Sequence, residues 1–374
     1  MPDLPPRAVA WAETMSGHPG DRLVRAHQQD GARLVLDRPV LREQREAWEA
    51  ERLAPGAARA EGAGDRAIRE EPDAERTCFE RDRDRIVHST AFRRLAGKTQ
   101  VVVFPSDHQR TRLTHALEVA QVATSIARGV GANATLAEAI ALGHDCGHGP
   151  GGHASEDAFD AFLAEGYDHG PWGADVVLTS LNLCAETLDG IRNHSWSRPV
   201  PATVEGEIVS WADRIAYCAH DLEDAADAGI VSLDELPEEV VELAGRTRRQ
   251  QLGTFVRAVI RTVAATGSVG MAEGPASALA ALRAFNYEQI YTRPDSLAQS
   301  RAVVAVLHGL VEYYADHPLA LPIAFVAPDR SEEGRVRAAV TYVAGMTDRF
   351  AFGTAVELLG WDPDRLPKGI GRDA

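Results

Sequence analysis

Residues 135–156 read TLAEAIALGHDCGHGPGGHASE, and several signals follow one another along that stretch. Thr135-Leu-Ala-Glu138 has the form of a capping box, in which a hydroxyl and a carboxylate satisfy the first free amides of a helix. Ile140 and Leu142 carry the apolar run that follows, and it ends at the pair His144-Asp145. A charged carboxylate and an imidazole seldom go to the end of an apolar helix without a partner. The glycine-rich turn Gly147-His-Gly-Pro-Gly-Gly152 comes next, a backbone whose amides can approach a phosphate closely. A new helix is predicted from near Ser155.

Outward from this stretch the pattern stays helical. Leu113, Leu117, Ala120, Ala123 and Ala127 recur at helical spacing, with Gly129 and Gly131 as stops, which predicts a helix over 111–128 carrying His115. A further helix is predicted over 204–228. Ile208, Trp211, Ile215, Ala219 and Leu222 form its apolar side, and Asp213, Tyr217, His220, Asp221 and Asp224 share another face. That polar row reads as a site or, equally, as a solvated surface. Helices are also predicted over 250–265, 275–290, 298–315 and 332–360. Residues 1–75 read as an N-terminal extension, with 53–75 as loop or frayed helix. The fold class is all-α, since Ala, Leu, Arg and Glu are plentiful and β-branched residues modest in number.

His115, His144, Asp145 and Asp213 bring two imidazoles and two carboxylates from three helices. Such a mixed set suits a divalent cation and does not select among Mn2+, Mg2+, Co2+, Fe2+, Ni2+ and Zn2+. An incomplete protein shell leaves room for water and a phosphate oxygen. His153 and Glu156, three residues apart at a helix start, could relay a proton beside it. His153 also reads as a capping or packing histidine.

The formal net charge of the 374 residues is -16, which speaks against general nucleic-acid binding. Against that background Arg81, Arg83, Arg85, Arg93, Arg94, Lys98, Arg110 and Arg112 face only Asp82, Asp84 and Asp107 in the same segment. A local basic patch suits a small polyanion; any one of these arginines reads equally as a partner for acids elsewhere. Cys78, Cys146, Cys184 and Cys218 form no C-x-x-C pair, which points to a reduced, cytoplasmic setting. No basic-then-apolar leader opens the sequence, and no apolar run approaches the roughly 20 residues of a membrane span.

Several ordered blocks carry a resemblance. They are RDRDRIVHSTAFRRLAGKTQVVVF (81–104), DHQRTRLTHALEVAQVATSIAR (107–128), AEAIALGHDCGHGPGGHASED (137–157), LNLCAETLDGIRNHS (181–195) and WADRIAYCAHDLEDAADAG (211–229), with NYEQIY and YVAGMTDRFA further on. Together they resemble the deoxyguanosinetriphosphate triphosphohydrolase-like proteins of the HD superfamily. The resemblance implies an all-helical HD fold, with the catalytic core over 76–230 and a C-terminal helical region over 231–374 packed on it. It implies hydrolysis of a deoxynucleoside triphosphate (dNTP) to deoxynucleoside and intact triphosphate, and usually a homo-oligomer. It makes His115, His144, Asp145 and Asp213 the metal ligands, with His153 acting near the α-phosphate and Glu156 assisting. Arg112 and Arg214 would meet phosphate oxygens, Tyr217 and Asp221 the sugar, and Gln100 the base or sugar; Arg283 and Tyr291 follow from a looser match.

The sequence also departs from the family pattern. Gly151 stands where Phe is usual, and the H-x-G-E pattern reads His153-Ala-Ser-Glu156. Gly170, Trp172 and Asp175 replace the expected Asn, Gln and Arg around a retained His169. Two other readings stay open. One is a different HD phosphohydrolase, such as a nucleotidase or a two-metal phosphodiesterase drawing on His148, His169 or His194. The other is a nucleotide sensor without turnover.

Overall fold

Sixteen α helices and a single two-stranded ribbon make up the main regular structure of the described residues, which are 4–20, 22–29, 31, 33–101, 103, 108–327, 329 and 331–367 of a computed structural model. Asp107, counted above among the acids, lies outside them. The helices are α1 Pro6–Thr14, α2 Arg42–Arg52, α3 Cys78–His88, α4 Thr90–Arg94, α5 Arg112–Val130, α6 Ala134–Gly143, α7 Ala154–Asp160, α8 His169–Trp172, α9 Ala185–Asn193, α10 Val204–Asp227, α11 Glu238–Ala244, α12 Arg248–Thr266, α13 Glu273–Asn286, α14 Pro294–Asp316, α15 Glu332–Ala344 and α16 Asp348–Leu359. Two units separate along the chain. Met1–Val40 holds α1 and the antiparallel ribbon, where His18 pairs with Arg25 and Pro19 with Val24. Leu41–Ala374 holds everything else, so residues 41–75 belong to the same compact unit as the helices that follow. No helix among the described residues is long and apolar enough to cross a membrane.

Local chemistry sets most boundaries where the sequence places them. Thr111 and Thr114 form a reciprocal cap at the start of α5, and Gly131, with φ 75°, ends it in the left-handed region. Thr203 caps α10 by accepting from the Gly206 amide at 3.1 Å. Three expectations are corrected. The cap of α6 is Asn133 rather than Thr135: Asn133 Oδ1 accepts from the amides of Thr135 and Leu136 at 3.1 and 3.2 Å. Buried Glu205 holds Asn133 there by accepting its amide at 2.7 Å, so a tertiary contact moves the helix start. The stretch 332–360 is two helices, broken at Gly345-Met346 and restarted by the Thr347 cap. Beyond α13 the chain tightens no further into α-helix but opens into a π-helical turn, Tyr287–Tyr291.

The segment 53–75 is loop, yet buried charges hold it. Arg66 and Asp82 pair at 2.6 Å with both side chains out of solvent. Arg66 also donates to the carbonyls of Ala63, Cys78 and Asn182, and Asp82 accepts from the Cys184 amide and the Thr187 hydroxyl. Asp82→Ala would strand a buried guanidinium, and denaturant melts should show a loss of about 3–5 kcal/mol. A loss below ~1 kcal/mol would mean that solvent already screens the pair.

Apolar packing divides into two cores. Ile86, Val119, Ile126, Leu136, Ile140, Ile191, Ile208, Val240, Phe255 and Leu282 represent the first, built from α3, α5, α6 and α9–α13. Phe159, Val303, Leu307, Val340 and Phe352 represent the second, built from α7, α14, α15 and α16. Asp348, at the start of α16, joins them. Its carboxylate accepts from the Thr99 amide at 2.9 Å, the Thr99 hydroxyl at 2.5 Å and the Gly151 amide at 2.8 Å. Lys98 bridges the same seam, donating to the carbonyls of His148 and Ala344. Burial lowers this lysine to about 7.

Candidate metal centre and adjoining cavity

A cavity of about 500 Å³ opens between the two cores, lined by Val101 and Ile290 of the first and by Val103 and Val303 of the second. All the site residues named from sequence line it except His144 and Glu156, each of which touches residues that do.

The metal cluster forms where α5, the end of α6 and α10 converge. His115 Nε2 lies 3.0 Å from Asp213 Oδ1 and 4.0 Å from Asp145 Oδ2. His144 Nε2 lies 3.5 Å from Asp145 Oδ1 and 3.6 Å from Asp213 Oδ1. The tautomer of His144 follows from its other nitrogen: Nδ1 is 2.6 Å from the Ala141 carbonyl, which can only accept. Nε2 is then the buried atom left to take a cation or a proton, without a hydrogen-bond partner and facing two carboxylates. That orphaned donor atom, with the neutral-imidazole and carboxylate set around it, fits a divalent cation. Burial alone would depress the His144 imidazole; without a cation, Asp145 and Asp213 override it and raise it to about 9, so a proton sits at Nε2 until a cation displaces it. Both aspartates stay well below the usual range despite burial, Asp145 chiefly through Arg112 and Asp213 through His115 and His144.

The glycine turn shapes what surrounds this cluster. A side chain on Gly147 would begin 1.9 Å from the His169 carbonyl, and one on Gly152, with φ +66°, 2.9 Å from Arg112 Nη2. Backbone therefore approaches where only glycine fits. Gly151, the departure from Phe, leaves room that Val303 fills, since a Cβ there would meet Val303 at 2.4 Å. His148 is buried with both ring nitrogens unpartnered, 3.2 Å from Asp145 Oδ1 but off the line of a hydrogen bond, and stacked on His169.

Glu156 bridges two imidazoles. One oxygen is 3.1 Å from His153 Nδ1; the other is 2.6 Å from His169 Nδ1 and accepts the His169 amide at 3.0 Å. These bonds hold its carboxyl well below the usual range in spite of burial. His153 thus keeps Nε2 for the cavity. The altered residues nearby do other work: Asp175 pairs with Arg192, Trp172 packs on Tyr167, and Gly170 runs close to the Arg192 carbonyl.

Arg112 donates through Nη1 to Asp145 Oδ2 at 2.9 Å, while its Nε and Nη2 are buried and unpartnered. Elsewhere in the basic segment four arginines are spent on acids. Arg81 and Arg85 pair with Glu70, Arg83 with Asp84, and Arg110 with Glu118, Glu223 and Asp224. Arg93 and Lys98 donate to backbone carbonyls and Arg94 keeps its Nε buried and unpartnered, so the expected polyanion patch does not form, and Arg112 alone of those eight cations lines the cavity. Farther along, Tyr291 donates to Asp221 Oδ2 at 2.5 Å and Arg283 to the Tyr217 hydroxyl at 2.9 Å. Burial raises Asp221 to about 7. Gln100 faces the cavity with its carbonyl oxygen buried and unpartnered.

His220, on the same helix, is held neutral. Burial, with Arg110 beside it, lowers it to about 2. An unfolded imidazole titrates near ~6.5, so below that pH the unfolded chain takes up a proton that the folded chain refuses. Stability contributed by this group is present above pH ~6.5 and falls as pH drops toward the folded value, by about 2 kcal/mol at pH ~5. His220→Asn should accordingly flatten the fall of Tm between pH ~6.5 and ~4 in metal-free protein; an unchanged slope would refute this account.

Sequence comparisons agree with this architecture. Residues 112–218 match the HD domain and residues 269–356 the phosphohydrolase-associated domain. A deoxyguanosinetriphosphate triphosphohydrolase-like protein of Caldanaerobacter subterraneus subsp. tengcongensis is 41% identical over 320 residues, covering 83% of this chain and 93% of that protein. A protein of the same description from Clostridium perfringens is 40% identical over 296 residues (75% and 86%), and one from Paracoccus denitrificans 35% identical over 376 residues (82% and 100%). The chain belongs to the deoxyguanosinetriphosphate triphosphohydrolase-like proteins, a family of HD-domain phosphohydrolases.

Proposed function

We propose that this phosphohydrolase converts deoxynucleoside triphosphates to deoxynucleoside and intact triphosphate. The observation that carries the reading is the sequence of groups along one cavity. Arg112 with unspent N–H groups adjoins the His/Asp cluster, the His153–Glu156 pair stands beside it, and Asp221–Tyr291 and Arg283–Tyr217 lie farther along. Arg112 and Arg214 hold phosphate oxygens through planar forks. His115, His144, Asp145 and Asp213 hold a divalent cation, which when bound supplies Lewis acidity to a phosphoryl oxygen. His153, oriented through Nδ1 by Glu156, moves a proton at the bond between the α-phosphorus and the 5′-oxygen. That bond breaks, water oxygen joins the α-phosphorus, and the 5′-oxygen leaves as a hydroxyl. Asp221 accepts the sugar 3′-hydroxyl, with Tyr217 against the ring, and Gln100 meets base or sugar.

Incubation with each of the four dNTPs and Mn2+ or Mg2+, followed by chromatography, tests this. Deoxynucleoside and triphosphate are the expected products. Monophosphate with pyrophosphate, or no product, refutes it. A second reading, the two-metal phosphodiesterase, draws on His169 Nε2 and His194 Nε2, which lie 3.0 Å apart. Metal analysis separates the two: a second tightly held ion per chain favours the phosphodiesterase.

A further inference from the structure

Trp196, in the loop after α9, lines the cavity and is 45% exposed. The carbon at the centre of the Arg214 guanidinium lies 3.4 Å from the centroid of its ring, the separation of two groups in van der Waals contact. The indole is itself fixed. Its Nε1 donates to the Ser210 carbonyl at 3.0 Å, and its ring meets Trp211 edge-on with centroids 4.6 Å apart. Ser210, Trp211 and Arg214 fall within about one turn of α10. The loop tryptophan is thus fastened to the helix that carries the arginine.

Arg214 differs from the other arginines in what holds it. Arg110 is surrounded by three carboxylates, and Arg112 gives one bond to Asp145. Among the described residues Arg214 has no ion pair, and its Nε is buried without a hydrogen-bond partner. A carboxylate would orient a guanidinium at the expense of its charge and of its N–H groups. An aromatic face orients the same plane and leaves both available.

We propose that Trp196 is a positioning residue that holds Arg214 in place and uncompensated for the phosphate chain of the substrate. The inference rests on reading the cavity as a nucleoside triphosphate site. Trp196 does not act as a stacking platform for the base, because the guanidinium already covers one face and Trp211 packs against the ring.

The test is a binding cycle on the full chain with Mn2+, using inorganic triphosphate and, separately, deoxyguanosine as probes. Trp196→Ala should weaken triphosphate binding by roughly 3- to 30-fold, the range of a partly desolvated cation–π contact. It should leave deoxyguanosine binding unchanged. Trp196→Phe, which keeps an aromatic face, should recover most of the loss. In an Arg214→Ala background Trp196→Ala should have no further effect. Wild-type affinity in Trp196→Ala, or an undiminished loss in the Arg214→Ala background, overturns the proposal; so does a loss confined to deoxyguanosine, which would make the ring a base platform. Wild-type protein that neither binds triphosphate nor turns over any dNTP brings down the functional reading and this proposal with it. Wild-type turnover with an insensitive Trp196 brings down the proposal alone.

Discussion

Asp145→Ala is expected to strip the chain of its divalent cation and of turnover together. The carboxylate stands where five basic side chains meet: Arg112 at 2.9 Å, His148 at 3.2 Å, His144 at 3.5 Å, His169 at 3.9 Å and His115 at 4.0 Å. Without it a guanidinium and four imidazoles face one another in a buried site, and Asp213 is the one carboxylate left among the four expected ligands to offset a divalent cation. Water cannot replace the missing charge. Metal content measured on the purified protein should fall to background, and dNTP turnover by roughly 10^4-fold or more. Asp145→Asn keeps the volume and removes the charge, so it should behave alike. A variant that holds its metal at wild-type stoichiometry would show that the other ligands suffice, and would sink the assignment.

His153→Ala should separate what Asp145→Ala removes together. The side chain is 73% exposed, bonds to Glu156 and meets the His148 ring edge-on without touching an expected metal ligand, so its loss leaves the His/Asp cluster and the fold intact. Metal content should be unchanged, while turnover falls by roughly 10^2- to 10^4-fold, the usual contribution of a positioned proton-transfer group. The two measurements are metal analysis and product chromatography on the same preparation. Full turnover in His153→Ala would remove it from the chemistry and leave it as a surface histidine at a helix start.

Helices with strong periodicity were legible, because α5, α10, α12 and α14 each bury a continuous stripe whose spacing survives in one dimension. The cluster was legible for a related reason. His144 and Asp145 end an apolar helix, and the polar row of α10, ambiguous as a pattern, is buried at His220, Asp221 and Asp224. Other features depend on partners far away in sequence. Asn133 outcompetes Thr135 as a cap because Glu205 holds its amide. Arg110 read equally as a cation for a small polyanion or as a partner for acids elsewhere, and its acids, on α5 and α10, decide for the second only on folding. The order of 53–75 comes from Arg66, Glu205 and Glu49 bonding to backbone, which leaves no apolar signature. Trp196 offered no periodic signal at all; only its approach to Arg214 gives it meaning.

The Asp348 clamp makes the two matched segments one mechanical object. A fragment ending at 227 would retain every residue expected at the metal, yet the amides of Thr99 and Gly151 would lose their shared acceptor. The cradle that backs Arg112 would then have no fixed floor, although nothing in the metal cluster had been touched. The Gly151 amide of this HD segment, moved onto another chain, would lack its acceptor unless Asp348 travelled with it.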